Sequence, residues 1–322
     1  KKLWVHGAFP GHLKTAYALQ WAYNAAIYYG RSSHYYALEM AYEEELLPIL
    51  YAMHSAHEDF AEVRASLGIE GLGLDIVKIN YAELSPNEEE FYEKFVIPDF
   101  NREATVAHEN PWSLNPKDYG SINIVSEDPD RRYSVMDVKA ISEMAYHQDP
   151  FDVIYVDYAE LLKPIGRYTN RTDGSNEIIR DLKKLATGFN KGAGIAVVAL
   201  WQLNREGFAQ AEKNDGIYSL RAFTYANEVE KSADIVTTSW YGDDVKSVRR
   251  AYFQCLKSRH GKPYDRIAVR VEPEVKRILT DRTSIDEVQH EIEVRKGEAE
   301  DLSENSRYFG GQPDIEAPGD ET

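Results

Sequence analysis

Residues 3–15 read Leu3-Trp4-Val5-His6-Gly7-Ala8-Phe9-Pro10-Gly11-His12-Leu13-Lys14-Thr15, and a helical run from Ala16 to Tyr29 follows at once. An apolar strand, a tight loop and a Lys-Thr pair opening a helix form the layout of a phosphate-binding loop. The order has a physical basis. Backbone N–H groups of the loop and the helix N-terminus face the phosphates, the lysine neutralises their charge, and the threonine hydroxyl is placed to ligate Mg²⁺. Both glycines of the usual GxxxxGK[ST] pattern are replaced, by Ala8 and Leu13, so the segment alone is equally compatible with an ordinary helix start. Ala8, Pro10, Gly11, His12, Leu13, Lys14, Thr15 and Ala16 are the candidate nucleotide-binding residues.

Three further strand ends change the balance. Val153-Ile154-Tyr155-Val156-Asp157 is an apolar run closed by an acid. In a parallel sheet the strand C-termini share one edge, which would set Asp157 beside Thr15 as a second Mg²⁺ ligand. Taken alone, an Asp at a strand end is more often a turn former. Glu39 closes the run Tyr35 to Leu38, and a carboxylate there is placed to polarise the water that attacks a γ-phosphate. Gln202 follows the apolar run Ile195 to Leu200 and is a candidate γ-phosphate sensor, with a buried backbone-bonded amide as the alternative.

Around these, apolar runs alternate with helical patterns, the signature of an α/β chain with a mostly parallel central sheet flanked by helices. The expected strands are Leu3 to Ala8, His34 to Glu39, Leu74 to Ile79, Ser121 to Val125, Val153 to Val156, Ile195 to Leu200, Ile235 to Trp240 and Ala251 to Leu256. Ile178, Leu182, Leu185 and Phe189 place one apolar stripe on a helix over Glu177 to Asn190. Ser134 is the expected N-cap of another, with Met136, Val138, Ile141 and Met144 on its apolar face. Pro86, Pro98, Pro111 and Pro116 interrupt residues 80–120, which read as an insertion with one short helix.

The chain of 322 residues carries 37 Lys+Arg against 54 Asp+Glu, a net charge of −17, which argues against a protein that coats DNA through a generally basic surface. The charge is uneven: residues 281–322 hold thirteen acidic and four basic residues, more than half the excess. That stretch reads as an acidic, largely irregular extension. The single cysteine, Cys255, excludes an intrachain disulfide framework and a Cys-based zinc cluster. No apolar run approaches the roughly 18–20 residues that cross a bilayer, and a cytoplasmic location without membrane association is expected. Because the first strand opens the sequence, further chain is expected upstream.

The ordered set AFPGHLKT (8–15), ALEM (37–40), VIYVDYAELL (153–162), ALWQLNR (199–205) and CLKSRHG (255–261), with SLRAFTYANEVEKSADIV (219–236), resembles the RecA-like motor domain of the DnaB-family replicative helicases. The resemblance spans about residues 1–280, apart from 80–120, and implies a RecA-like P-loop NTPase fold. It implies ATP and Mg²⁺ as cofactors, Lys14 and Thr15 in the phosphate loop, Glu39 as the catalytic carboxylate, Asp157 as the magnesium acid and Gln202 as the sensor. Lys257 and Arg259 stand where the family places the basic pair that reaches into the neighbouring subunit's ATP site. A homo-hexameric ring, single-stranded DNA and replication partners such as primase or a loader are the implied partners.

Two loops carry the bases that would meet DNA. Lys163, Arg167 and Arg171 flank Tyr168 in the first. Arg221 is the leading candidate in the second, 205–227, which also holds Lys213, Phe208, Tyr218, Phe223 and Tyr225. Leu13 before the lysine and Trp201 beside the sensor depart from the family pattern, and its N-terminal collar domain and linker helix are missing from this sequence. Two other readings stand beside the helicase motor: another RecA-fold ATPase, such as a recombinase or clock-type ring, and a non-hydrolysing interaction or loading subunit.

Overall fold

In the computed structural model the apolar runs pair into one nine-stranded sheet, ordered β3-β2-β4-β5-β1-β6-β7-β8-β9. The strands are β1 (Leu3–Ala8), β2 (Ser33–Ala37), β3 (Ile122–Ser126), β4 (Val153–Asp157), β5 (Ala196–Gln202), β6 (Ile235–Trp240), β7 (Arg250–Ser258), β8 (Tyr264–Glu272) and β9 (Arg277–Thr280). The structure describes residues 1–102, 118–126, 132–166, 168, 170–223, 227–280 and 282–309. β3 to β6 in sheet order are parallel; β7, β8 and β9 continue the sheet antiparallel. The central strands VIYVD and AVVALWQ are near-continuously apolar because helices cover both their faces.

Period-two alternation divides the core. Tyr35, Tyr155, Val198 and Leu200 face α1 (Lys14–Tyr29) and the helix Leu47–Ser55. Tyr36, Ile154, Val156, Val197 and Trp201 face the helices Val135–Gln148 and Arg171–Gly192. Ser134 caps the former through a reciprocal box with Asp137, and Val138 lies in the core. Met136 and Met144, expected on its apolar face, are exposed instead, because the helix buries only a narrow stripe.

Three other expectations are corrected. The strand expected over Leu74 to Ile79 is a helix, Ile76–Tyr81, started by the Asp75 side chain accepting from the Val77 N–H. Within 80–120, Pro86 and Pro98 open helices instead of interrupting them, since a proline in the first turn lacks only an N–H that would be unpaired anyway. The result is a helical stretch from Pro86 to Phe100 packed through Phe91 and Val96, while Pro111 and Pro116 lie outside the described residues. Finally, the extension is not irregular throughout: Ile285–Phe309 is a helix. Ser284 and Glu287 form a reciprocal cap at its start, and Val288 and Ile292 pack into the main core. Residues 310–322 lie outside the described residues. Among the described residues no helix is long and apolar enough to cross a membrane.

The insertion is tied down by a buried polar chain. Tyr23 Oη meets His54 Nδ1 at 2.9 Å, His54 Nε2 meets Asp99 Oδ2 at 2.8 Å, and the Tyr119 hydroxyl donates to the same carboxylate at 3.1 Å. His54 is one of five histidines that burial holds below the usual range; His6 is lowered to about 3, and His12, His34 and His57 to about 4. The unfolded chain therefore takes up these protons below pH 6.5, while the folded chain takes up those of His6, His12, His34 and His57 only near pH 3 to 4. Glu160 and Asp157, both raised by burial, act with the opposite sign, and Glu160, raised to about 7, offsets one of those four. Stability is expected to fall by about 4 kcal/mol per pH unit between pH 6 and 4.5, read from guanidinium unfolding midpoints. An unchanged midpoint from pH 7 to 5 would contradict this.

Candidate nucleotide site

Register brings the strand ends together. Ala8 pairs with Gln202 across β1 and β5, and Ala37 pairs with Asp157 across β2 and β4. The phosphate loop leaves β1 at the edge where β2, β4 and β5 also end. A cleft of about 330 Å³ there is lined by Pro10, Gly11, Leu13, Lys14, Thr15, Ala16, Glu39 and Gln202. Glu39 lies two residues beyond the end of β2 and is exposed, so it reaches the cleft from a loop and not from the strand expected.

Asp157 is buried below this cleft. Its Oδ2 accepts from the Tyr35 hydroxyl at 2.8 Å, and its Oδ1 has no hydrogen-bond partner among the described residues. Burial raises its pKa, against which Lys14, the nearby Thr15 hydroxyl and Tyr35 favour the charged form. A buried carboxylate oxygen left unpaired costs on the order of 1–3 kcal/mol. A divalent cation bound between Thr15 and Asp157 would remove that cost, so the donor set fits Mg²⁺. Burial likewise lowers the Lys14 ammonium, while Asp157, Glu39 and Glu160 pull it back up; its Nζ lies 3.7 Å from the Tyr158 ring centroid.

The loop is anchored from beneath by hydroxyls and a buried, neutral histidine. The Trp4 indole N–H donates to Thr237 Oγ1 at 2.7 Å, and His6 meets Thr237 Oγ1 at 3.0 Å and Ser239 Oγ at 3.3 Å. Ser239 donates to the His12 carbonyl at 2.7 Å, and the Tyr241 N–H donates to His12 Nδ1 at 3.0 Å. One proton order satisfies the chain: Thr237 donates to Nδ1 of His6, whose Nε2–H donates to Ser239. The His12 side chain thus turns away from the cleft, and its contribution there is backbone only.

Glu160 was not among the residues expected here. The turn Ala159–Leu161 brings it back so that Oε2 accepts from the Gln202 N–H at 2.5 Å. Burial raises it to about 7, opposed by the Gln202 bond and by Lys14 and Arg171. Its only sequence signal was an acid three residues beyond Asp157. Trp201, in contrast, is fully buried on the opposite face of β5 and leaves the cleft untouched.

Leu13 adopts φ +67° at the head of α1, a region that costs an L-residue about 1–2 kcal/mol. Its side chain recovers part of that against the cluster of Tyr17, Val269 and Val271. Leu13→Gly is expected to leave stability within about 1 kcal/mol and to raise nucleotide affinity by clearing the cleft beside Lys14. Fluorescent-nucleotide titration reads this out, and a weaker affinity would refute it.

Lys257 and Arg259 do not join this cleft within the chain. They lie at the start of β6, the end opposite the phosphate loop. Lys257 Nζ donates to the Glu230 and Ala233 carbonyls, and Arg259 bonds the Lys231 carbonyl and the Asp234 carboxylate. Of the candidate DNA contacts, Lys163 and Arg221 are exposed. Arg171 opens the helix Arg171–Gly192 within electrostatic reach of Glu160 and Tyr158. Arg167 and Tyr225 lie outside the described residues. Tyr218 and Phe223 are buried and Phe208 is packed among rings, so these three are not available to stack on bases.

A mostly parallel sheet with a phosphate loop after its central strand and an acid at the end of β4 defines a RecA-like P-loop nucleotide-binding domain. Residues 115–280, slightly more than half the chain, match the family of the DnaB-like helicase C terminal domain, and the chain belongs to that family. The match begins beyond the phosphate loop and Glu39. Two solved structures share the fold. One is an ATPase domain, at 21% identity and TM-score 0.65, covering 87% of this chain and 85% of that one. The other is a DnaB-like replicative helicase studied with its primase interactions, at 21% identity and TM-score 0.63, covering 86% of this chain and 57% of that one. No curated protein sequence matches the chain.

Proposed function

We propose that this chain is the ATP-hydrolysing motor of a DNA helicase that acts in replication. It assembles as a ring of six and moves 5′ to 3′ along single-stranded DNA while displacing the complementary strand. The observation that carries the reading is the buried Asp157, with one carboxylate oxygen unpaired among the described residues, beside Thr15 and Lys14 at the sheet edge where the phosphate loop leaves β1. Residues 1–280 form the motor, with 80–120 as an insertion, and the packed start of the helix Ile285–Phe309 extends it.

In this reading Lys14 and the backbone from Pro10 to Ala16 hold the phosphates. Thr15 and Asp157 would hold Mg²⁺, which would supply positive charge against the bound phosphates. Glu39 orients and polarises the attacking water, and Gln202, its backbone fixed by Glu160, senses the γ-phosphate. Lys257 and Arg259 complete the site of the neighbouring subunit, which fits their distance from the cleft in their own chain. Arg221, Lys163, Arg167 and Arg171 meet DNA. The net charge of −17 does not prevent this, because screening over roughly 8–10 Å limits what distant carboxylates contribute. Primase or a loader is the expected partner, in the cytoplasm.

The test is ATPase rate against protein concentration, with and without single-stranded DNA. Specific activity should rise on assembly and rise again with DNA. Activity strictly proportional to concentration would remove the trans-acting pair, and no activity at any concentration would leave the non-hydrolysing subunit as the reading.

A further inference from the structure

Four aromatic rings join the phosphate loop to the segment that follows the sensor strand. Phe9, the first residue after β1, stacks on Phe208 with centroids 4.2 Å apart and an interplanar angle of 22°. Phe208 stacks in turn on Trp240 at the end of β6, 5.3 Å away at 21°. His12 sets its ring edge against all three, at 5.9, 5.5 and 5.0 Å. Two of the rings therefore belong to the phosphate loop, one to the helix Arg205–Glu212, and one to the strand that anchors the loop.

That helix is bonded to Arg221. Asn204 caps it by accepting from the Gly207 N–H. The Asn204 N–H donates to the Ala222 carbonyl at 3.1 Å, and its side-chain amide donates to the Arg221 carbonyl at 3.3 Å. Gly207 has no room for a side chain, since a Cβ would lie 2.4 Å from Ala222 Cβ. A second contact runs directly from β1: a Cβ on Gly7 would lie 2.5 Å from the Phe223 ring. The backbone carrying Arg221 is thus joined to the phosphate loop through Phe208 and to β1 through Phe223.

We propose that the Phe9–Phe208–Trp240 stack couples the phosphate loop to the 204–223 segment, with Phe208 and Trp240 as positioning residues that set Arg221 according to nucleotide occupancy. A gap of 0.5–1 Å between stacked rings forfeits about a quarter to a half of their contact energy. When the loop rearranges around a γ-phosphate, Phe208 follows Phe9 and carries Asn204 and the Arg221 backbone with it. This inference rests on the helicase reading, because it supposes that the segment meets single-stranded DNA.

The test measures single-stranded DNA affinity by fluorescence anisotropy, with ADP and with a non-hydrolysable ATP analogue, in the full chain and in Phe208→Leu, Phe208→Tyr and Trp240→Phe. The wild type should show a nucleotide-dependent change in affinity of about fivefold or more. Phe208→Leu should lose most of that change while keeping nucleotide-free DNA affinity and DNA-independent ATPase; Phe208→Tyr, which keeps the stack, should retain it. If Phe208→Leu does not fold, Trp240→Phe carries the test, with a partial loss expected. Coupling equal to wild type in Phe208→Leu, or in Trp240→Phe where Phe208→Leu does not fold, overturns the relay alone. A wild type whose DNA affinity ignores the nucleotide overturns the helicase reading and the relay with it.

Discussion

Glu39→Gln is expected to lower ATP hydrolysis by about 10²–10⁴-fold, or roughly 3–5 kcal/mol of barrier, without weakening ATP binding. The substitution keeps the shape and removes only the charge that polarises the attacking water. Glu39 is exposed and beyond the end of its strand, so a glutamine there should change stability by no more than about 0.5 kcal/mol. The loss would therefore be chemical. Steady-state hydrolysis and equilibrium nucleotide binding, measured on the same preparation, separate the two effects. Hydrolysis at the wild-type rate would move the water-activating role to another carboxylate, and Glu160, raised to about 7 beside Lys14, is the next in reach.

Arg259→Ala should cost about 10³–10⁵-fold in hydrolysis, a larger effect from a residue that never touches its own cleft. Its side-chain contacts among the described residues are the Lys231 carbonyl and one ion pair with Asp234, at 45% side-chain exposure. Asp234 is nearly buried but keeps Lys183 and the Leu3 N–H as partners when the arginine is removed, so folding should survive. A mixing experiment distinguishes action in trans from action in cis. An interface that joins the intact phosphate-loop side of an Arg259→Ala subunit to the intact Arg259 of a Glu39→Gln subunit has every group in place. Mixing the two inactive proteins should restore part of the activity. If each subunit used its own arginine, no mixture would exceed the sum of its parts.

The two substitutions also show how differently residues announce themselves in sequence. Lys14, Thr15, Asp157 and Gln202 each follow an apolar run, and a parallel sheet carries such ends to one edge whatever the loops between them do. Their convergence was legible for that reason. Glu160 was not, because its approach depends on a single turn that folds it back toward Gln202. Nor were β8 and β9, whose charged residues conceal the alternation, or the helix from Ile285, whose acidic surface masked the cap at Ser284 and the stripe through Val288 and Ile292.

Sequence alone determined the parallel strands of the sheet and the polar residues at their ends, since local patterning is a property of the residues in line. Only the tertiary structure decided what depends on distant parts of the chain meeting. It placed Leu13 in the left-handed region, where the loop's anchors to Ser239 and Tyr241 and the packing of its side chain on β8 hold it. It turned Trp201 into core, parked Lys257 and Arg259 at the far end of β6, and took Phe208 and Phe223 from an expected DNA surface to pack them against the phosphate loop and β1 respectively. Those rings are buried because the loop leaves apolar surface beside β1 that water would otherwise cover, and no pattern within either segment records that neighbour.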